Sequence, residues 1–301
     1  MHKKQALAAI SAVLLSQSSV QAHENSDVKV VEGRLLPKVQ VAGETYQPYT
    51  ISQRMAHYNV PGISIAVVKD GQLVWAKGYG IANSKTQQSV TSNTLFQAGS
   101  ISKPVAALAA LKLVQENKVD LDTDVNQYLT SWKIPDSTYT EQQAVTLRHL
   151  LTHTAGTTVH GFPGYQQGAN LPSNSAILSG EGNTPKVFVD QAPGSDWRYS
   201  GGGYTVMEQL VEDVTKLPFD KYLQDAILLP LNMHSSTYEQ PLSQAKWSQA
   251  SAAFDRDGEQ IKGNWNNYPE QAAAGLWTTP SDLANYILAI QSARKVYSNQ
   301  T

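Results

Sequence analysis

Residues 61–77 carry the strongest local signal in the sequence. Large apolar residues alternate with smaller ones on both sides of the pair Asp70-Gly71. Alternation with a period of two is typical of a half-buried strand, and Asp-Gly supplies the positive φ angles that a two-residue turn requires. This segment is therefore predicted to be a β-hairpin, preceded by a short helix over residues 49–58.

A buried helix is predicted to begin at about Ser100. Pro104 stands just before the apolar run 105–114, and a proline is tolerated in a helix only in the first turn, where N–H groups have no intrahelical partner. The 3.6-residue period predicts further helices over 145–151, 204–215, 219–228 and 277–290. The Gly-, Pro-, Ser- and Asn-rich segment 161–196 is predicted to be an exposed loop region. Neither an internal repeat nor a low-complexity tract is present.

The predicted start of that helix carries the pair Ser100 and Lys103. Positions i and i+3 share a helix face, so the amine lies beside the hydroxyl and can take its proton. The Ser-x-x-Lys pattern also occurs at 26–29, 243–246 and 292–295, always in polar surroundings. Only Ser100 lies between a strand-rich segment and an apolar helix, and this context selects it as the candidate nucleophile.

A second candidate element is the run WRYSGGGY at 197–204. A glycine-dense turn lets the backbone approach a ligand closely, and Tyr199, held near a lysine, can act as a base. A Gly-x-Ser-x-Gly elbow is absent, which argues against an α/β-hydrolase triad.

These motifs, taken in order, resemble those of the class C β-lactamase-related serine hydrolases. The order is GSISK at 99–103, LLTHTAG at 150–156, YSGGGY at 199–204 and AGLWTTPSDL at 274–283. That family includes class C β-lactamases, D-Ala-D-Ala carboxypeptidases, D-aminopeptidases and β-lactamase-like esterases. The resemblance extends from about residue 49 to residue 290.

The resemblance implies a role for each matching residue. Ser100 corresponds to the acylated nucleophile, Lys103 to its proton-handling partner, and Tyr199 to the base in acylation and the acid for the leaving group. Ser200 and Gly201 are the implied substrate-binding residues. The family motif usually reads Tyr-x-Asn, and Gly201 replaces the asparagine that offers its amide to the substrate's acyl side chain. This departure favours small esters, or an unassigned amide, over cephalosporins.

The resemblance also implies a fold, which is α+β and penicillin-recognising. An antiparallel sheet flanked by helices is expected, with a mostly helical region inserted into it. The family's third motif, Lys/His-Thr/Ser-Gly on a strand after the last helix, does not occur before residue 301. We therefore expect the C-terminal strands to be missing and the sheet to have an exposed edge. The expected division is an irregular leader over 23–44, an α/β part over 45–105 plus 265–301, and a helical part over 106–264.

The first 22 residues resemble a secretory signal peptide. Lys3 and Lys4 precede a short apolar core over residues 6–15, residues 20–22 follow with the small residues that a signal peptidase requires, and cleavage is predicted near Ala22. We expect a periplasmic or secreted protein without a membrane span, because the apolar core and every later apolar run are too short to cross a bilayer. With a formal net charge of −2 and no basic stripe, no nucleic-acid partner is expected.

The remaining metal-like patterns have structural interpretations. The chain has no cysteine, which excludes disulfides, thiolate catalysis and Cys-based metal sites. His149 and His153 have zinc-ligand spacing but lack the intervening glutamate of a metalloprotease. Asp120, Asp122 and Asp124 resemble the start of a calcium loop but lack its glycine. No metal or cofactor is expected.

Two functions remain open. In the first, the protein is a serine hydrolase that forms an acyl-enzyme at Ser100 on a β-lactam, a D-amino-acid peptide or a small ester. In the second, it is a pseudoenzyme or binding module that keeps the cleft but does not turn over, because the third motif is absent.

Overall fold

The computed structural model describes residues 28–298. The helices are α1 (described over 28–33), α2 (Ile51–His57), α3 (Ser102–Gln115), α4 (Leu147–Leu151), α5 (Asn174–Ser179), α6 (Gly201–Thr215), α7 (Phe219–Leu223), α8 (Gln271–Ala274) and α9 (Pro280–Ser298). The strands are β1 (Gly62–Lys69), β2 (Gln72–Asn83), β3 (Gln88–Ser89), β4 (Phe96–Gln97), β5 (Tyr165–Gln166), β6 (Asn266–Asn267) and β7 (Trp277–Thr278). The mixture of helices and antiparallel strands is the predicted α+β class.

The predicted hairpin is confirmed. Strands β1 and β2 pair antiparallel from Gly62 opposite Gly80 to Lys69 opposite Gln72. The turn residues Asp70 and Gly71 have φ angles of 53° and 76°, as a two-residue hairpin turn requires. The short strand β3 extends this sheet in the order β1-β2-β3.

Strand β1 forms one edge of that sheet within residues 28–298, because β2 is the only strand paired with it there. Helix α9 packs against β1 and β2. A groove with an apolar floor runs beside the edge, lined by Ile65 and Val68 of β1 and by Leu283 and Ile287 of α9. In the part of the chain described, no helix is both long and apolar enough to cross a membrane.

The main core lies around helices α3 and α6. Both helices bury their apolar side chains in one cluster with α4, α7 and α8, and α8 contacts both α3 and α6. A smaller cluster of Leu95, Trp265 and Trp277 lies where β4 pairs with β7. The end of β4, and with it the start of α3, is thus fixed between the two clusters.

Several boundaries differ from the sequence predictions. The 3₁₀ turn Gly99–Ile101 contains Ser100, and α3 begins at Ser102. The last helix begins at Pro280 because residues 277–278 pair with β4 as β7. The leader expected to be irregular over 23–44 is helical over 28–33. The predicted signal peptide, residues 1–22, and the start of the leader lie outside the described residues.

The segment 161–196 is less exposed than its composition predicts. It contains β5 and α5, and it buries Ile177, Leu178, Val187 and Val189. Strand β6 pairs with β5, and α8 packs on α6, so both contact elements of the region 106–264. Residues 266–274 therefore pack against the predicted helical part, although their position in the sequence assigned them to the α/β part.

Candidate active site

Ser100 lies in the turn that joins β4 to α3, and its side chain is exposed. Two contacts fix this turn on the strand side and the helix side. The N–H of Ala98 donates to the carbonyl oxygen of Leu276 at 2.9 Å. The N–H of Leu276 in turn donates to the hydroxyl of the fully buried Ser102 at 3.0 Å. The second serine of the GSISK motif therefore has a structural role, and the first is presented to solvent.

Lys103 is buried, with 5 % of its surface exposed. Its Nζ donates to Ser100 Oγ at 3.0 Å and to the carbonyl oxygen of Ala273 at 2.8 Å. No carboxylate forms an ion pair with it among the described residues. Burial lowers the pKa of Lys103, and the neighbouring Tyr199 raises it only in part. A lowered pKa increases the fraction of neutral amine that can accept a proton from Ser100.

Tyr199 is brought to the same place by the turn before α6. The Nζ of Lys103 lies 4.8 Å from the centre of its ring. The rings of His153 and His160 lie 4.4 Å and 4.9 Å from it. The structure thus groups all three residues that the sequence proposed as catalytic, Ser100, Lys103 and Tyr199.

Ser200 is predicted from the sequence to bind substrate, but its side chain caps α6. The hydroxyl accepts from the N–H of Gly203 at 2.9 Å and donates to the carbonyl oxygen of Thr158 at 2.8 Å. Only 2 % of the residue is exposed. Its hydroxyl therefore shapes the turn that presents Tyr199, since its hydrogen-bonding capacity is used within the protein.

Gly201 lies under the loop that contains His160 and Phe162. Its N–H donates to the carbonyl oxygen of His160 at 3.0 Å. A Cβ at this position would lie 3.0 Å from the Phe162 ring and 3.1 Å from that carbonyl oxygen. The space that a side chain at position 201 would need is thus largely filled, which gives a physical reason for glycine here.

The loop 153–160 is strained and rigidly attached to the site. His153 and Val159 have φ angles of 60° and 65°, a conformation that is uncommon for any non-glycine residue and costly for a β-branched one. The carbonyl oxygens of His153, Val159 and His160 accept N–H groups from Arg198, Gly202 and Gly201 respectively. Strain of this kind is retained where the surrounding structure holds it, and it is common at functional sites.

His153 packs beside Tyr199 and supports the turn before α6. Its Nδ1 accepts the N–H of Ser200 at 3.2 Å, and its ring stacks on Tyr199. Burial, followed by the charges of Lys103 and His160, lowers the pKa of His153, which favours the neutral ring that can accept a hydrogen bond. His149 lies apart from these contacts and forms a capping box with Thr146 at the start of α4.

Two buried acids near α8 were not identified from the sequence. Glu270 is fully buried, neither of its carboxyl oxygens has a hydrogen-bond partner, and burial raises its pKa to about 7. Glu208 on α6 is 2 % exposed and accepts the N–H of Ala272 at 2.7 Å. In sequence they resemble any polar residues of a helix and a loop, so only the packing of α8 against α6 reveals them.

The acidic triplet at 120–124 forms turns and caps, which agrees with its structural interpretation. Asp120 accepts two backbone N–H groups, Asp122 pairs with Arg148, and Asp124 caps the 3₁₀ turn that begins at Val125. Within residues 28–298, no group of three or more His, Cys, Asp or Glu side chains is placed to hold a metal ion.

The fold and the grouping of a serine, a buried lysine and a tyrosine define a protein of the penicillin-recognising serine class. The family model described as Beta-lactamase matches residues 49–300, and the chain belongs to the beta-lactamase family. The resemblance inferred from the four motifs is thereby confirmed.

Individual relatives are distant. The chain is 26 % identical over 231 residues to Protein flp of Staphylococcus aureus, covering 74 % of this chain and 42 % of that protein. It is 26 % identical over 238 residues to a beta-lactamase of Pseudomonas fluorescens, covering 79 % and 62 %. The chain thus spans about half the length of the curated relatives it matches.

Solved structures agree on the fold. The octameric penicillin-binding protein homologue from Pyrococcus abyssi superposes with a TM-score of 0.63 at 28 % identity, covering 79 % of this chain and 54 % of that one. The beta-lactamase/D-alanine carboxypeptidase from Yersinia pestis superposes with a TM-score of 0.61 at 20 % identity, covering 77 % and 64 %.

Proposed function

We propose that this protein is a serine hydrolase that forms an acyl-enzyme on Ser100. The observation that carries the proposal is the 3.0 Å contact between Lys103 Nζ and Ser100 Oγ. The same Nζ lies 4.8 Å from the centre of the Tyr199 ring. Family membership supports hydrolase chemistry in general.

The proposed reaction has two halves. The Ser100 oxygen attacks the substrate carbonyl carbon while its proton passes to the Lys103–Tyr199 pair, and a tetrahedral oxyanion forms. When the oxyanion collapses, the bond to the leaving group breaks, and the Tyr199 phenol returns a proton to that group. A water molecule then attacks the acyl-enzyme carbonyl carbon while the same pair accepts its proton. When the bond between the acyl carbon and Ser100 Oγ breaks, the pair returns that proton to Oγ, so that the free acid and Ser100 are regenerated.

We propose that the substrates are small carbonyl compounds, with esters preferred to β-lactams and D-amino-acid peptides. Gly201 offers no side-chain amide, and Phe162 and the carbonyl oxygen of His160 lie tightly against the position that a Cβ would take there. A substrate that depends on an amide contact to its acyl side chain loses that interaction, whereas a short-chain ester does not need it.

Steady-state hydrolysis tests this proposal with p-nitrophenyl butyrate and a chromogenic cephalosporin as parallel substrates. We expect ester turnover that disappears in Ser100→Ala, and a kcat/KM for the cephalosporin at least tenfold lower. Ser243→Ala is the matched control, because it removes the serine of another Ser-x-x-Lys pair and should leave turnover unchanged. Ester hydrolysis that persists in Ser100→Ala would refute the mechanism. One-equivalent labelling without turnover would instead support the non-turnover binding protein.

We further propose that the mature protein acts in the periplasm or after secretion. Support comes from the charged and apolar pattern of residues 1–22. N-terminal sequencing of the protein recovered from a periplasmic or secreted fraction should begin near His23. Recovery only from the cytoplasm with Met1 intact would contradict this proposal.

A further inference from the structure

Glu208 is a buried acid on the face of α6 that contacts α8. Only 2 % of it is exposed, and its Oε2 accepts the N–H of Ala272 at 2.7 Å. Placing a carboxyl group in a core costs free energy unless its polar atoms are paired. The contact with Ala272 pairs Oε2, and the same contact joins helix α6 to the single turn of α8.

Helix α8 accepts a hydrogen bond from Lys103, which lies on α3. It is one turn long, Gln271–Ala274, and its Ala273 carbonyl oxygen accepts the second hydrogen bond of Lys103 Nζ at 2.8 Å. The first bond of that amine goes to Ser100 Oγ at 3.0 Å. Because Ala272 and Ala273 are neighbours in a single turn, a displacement of the Ala272 N–H also displaces the carbonyl group that orients Lys103.

The environment of Glu208 favours the neutral carboxyl group, which can serve as a permanent hydrogen-bond acceptor. Burial, and after it the nearby Glu212 and Glu270, raises the pKa of Glu208 well above its ordinary value. Burial is also the largest cause of the raised pKa of Tyr238, to which the nearby Glu208 adds. A raised pKa favours the protonated carboxyl group, which resembles a glutamine amide in size and still offers a carbonyl oxygen.

We propose that Glu208 is a positioning residue for Lys103, holding α8 so that the amine stays within proton-transfer distance of Ser100. Among the described residues, no hydrogen bond or ion pair joins the Glu208 side chain to Lys103 or Ser100, so Glu208 acts through the α8 backbone. The inference rests on the proposed function, because it explains how the base of that reaction is oriented.

The first experiment compares Glu208→Met with Glu208→Gln. The Met variant removes the acceptor, and we expect the rate of Ser100 acylation by p-nitrophenyl butyrate to fall about 10- to 100-fold with little change in KM. The Gln variant keeps a carbonyl oxygen and should restore the rate to within about threefold of the wild type. Glu208→Asp, which withdraws the carboxyl group by one methylene, replaces the Met variant if that variant does not fold.

Glu212→Met is the matched control. Glu212 lies one turn further along α6, is half-buried, and accepts the backbone N–H of Phe219 at 3.0 Å. Its loss should lower stability without changing the acylation rate more than about threefold. Equal rate losses in Glu208→Met and Glu212→Met would show a general packing effect and overturn the proposal.

A second measurement does not depend on turnover. Crystal structures of the wild type and Glu208→Met give the distance from Lys103 Nζ to Ser100 Oγ, which should exceed 4 Å in the variant, compared with 3.0 Å in the present structure. An unchanged distance would overturn the proposal even if the protein proves not to be a hydrolase. Absence of any acyl adduct on wild-type Ser100 would instead refute the proposed function and leave this structural test decisive for Glu208.

Discussion

Replacing Lys103 with methionine separates the catalytic role of this residue from its contribution to stability. The amine donates to Ser100 Oγ and to the Ala273 carbonyl oxygen, and methionine fills similar space without a proton acceptor. A positioned general base contributes about 10²- to 10⁴-fold in rate, so the activation free energy of acylation should rise by about 3–5 kcal/mol.

Stability should change much less than the rate. The loss of two hydrogen bonds costs about 1 kcal/mol each, but the variant also removes a buried amine that has no carboxylate partner among the described residues. We expect the free energy of unfolding to stay within about 2 kcal/mol of the wild type, since replacing buried charge by an apolar group is often neutral or favourable.

The difference in stability between Lys103→Met and the wild type should depend on pH, and the pKa shift of Lys103 gives its direction. Burial lowers the folded-state pKa of Lys103 below its ordinary 10.5, so below the folded pKa the charged amine costs the folded state its full penalty. That penalty fades as the pH rises from the folded pKa to 10.5. The stability of Lys103→Met relative to the wild type should therefore be greatest below the folded-state pKa and decline as the pH rises from that pKa towards 10.5.

Stopped-flow acylation with p-nitrophenyl butyrate and urea unfolding, on the same preparations, measure both quantities. A variant that acylates within threefold of the wild type would refute Lys103 as the proton acceptor. A loss of activity accompanied by an equally large loss of stability would refute the separation of the two roles.

Three further predictions concern the scaffold of the site. Gly156→Ala should lower the free energy of unfolding in urea by about 2–5 kcal/mol, because φ is 65° and the new Cβ would clash with the carbonyl oxygen of Gln191. Gly168→Ala, with positive φ but open space around it, should lower it by only about 1–2 kcal/mol. Equal losses would contradict the role given to the clash with Gln191. Burial raises the pKa of Asp213, but hydrogen bonds from neighbouring hydroxyl and N–H groups lower it by more, so the net shift is downward. The free energy of unfolding of Asp213→Asn should therefore be about 1–3 kcal/mol lower than that of the wild type at pH 7. The two values should converge as the pH falls below 3.8. A constant difference down to pH 2 would contradict that assignment. Gly201→Ala should cost about 1 kcal/mol of stability and lower ester turnover, because its Cβ meets the Phe162 ring at 3.0 Å. The double variant with Phe162→Ala should recover that turnover, and no recovery would show that the crowding lies elsewhere.

Local patterns sufficed for the elements whose structure is set by near neighbours. The hairpin turn at Asp70-Gly71 follows from residue types within a few positions. The grouping of Ser100, Lys103 and Tyr199 was predictable because ordered motifs revealed the family, although Ser100 and Tyr199 lie 99 residues apart.

The sequence could not predict features that depend on contacts between distant segments. Ser100 lies in a 3₁₀ turn, rather than in α3, because the β4–β7 pairing and the Ser102–Leu276 contact fix the chain before the helix. The role of Glu208 depends on its contact with Ala272 of α8, a residue 64 positions further along the chain. Neither pairing leaves a periodic or spacing signal in the sequence.

The most direct test of the proposed mechanism is the intact mass of the 301-residue protein, with its leader processed or not, after incubation with p-nitrophenyl butyrate and separately with a penicillin. Wild-type protein, quenched in acid within the burst phase, should gain one butyryl group that peptide mapping places on Ser100, while Ser100→Ala should gain none. An adduct on another residue, or an equal adduct in Ser100→Ala, would contradict the account.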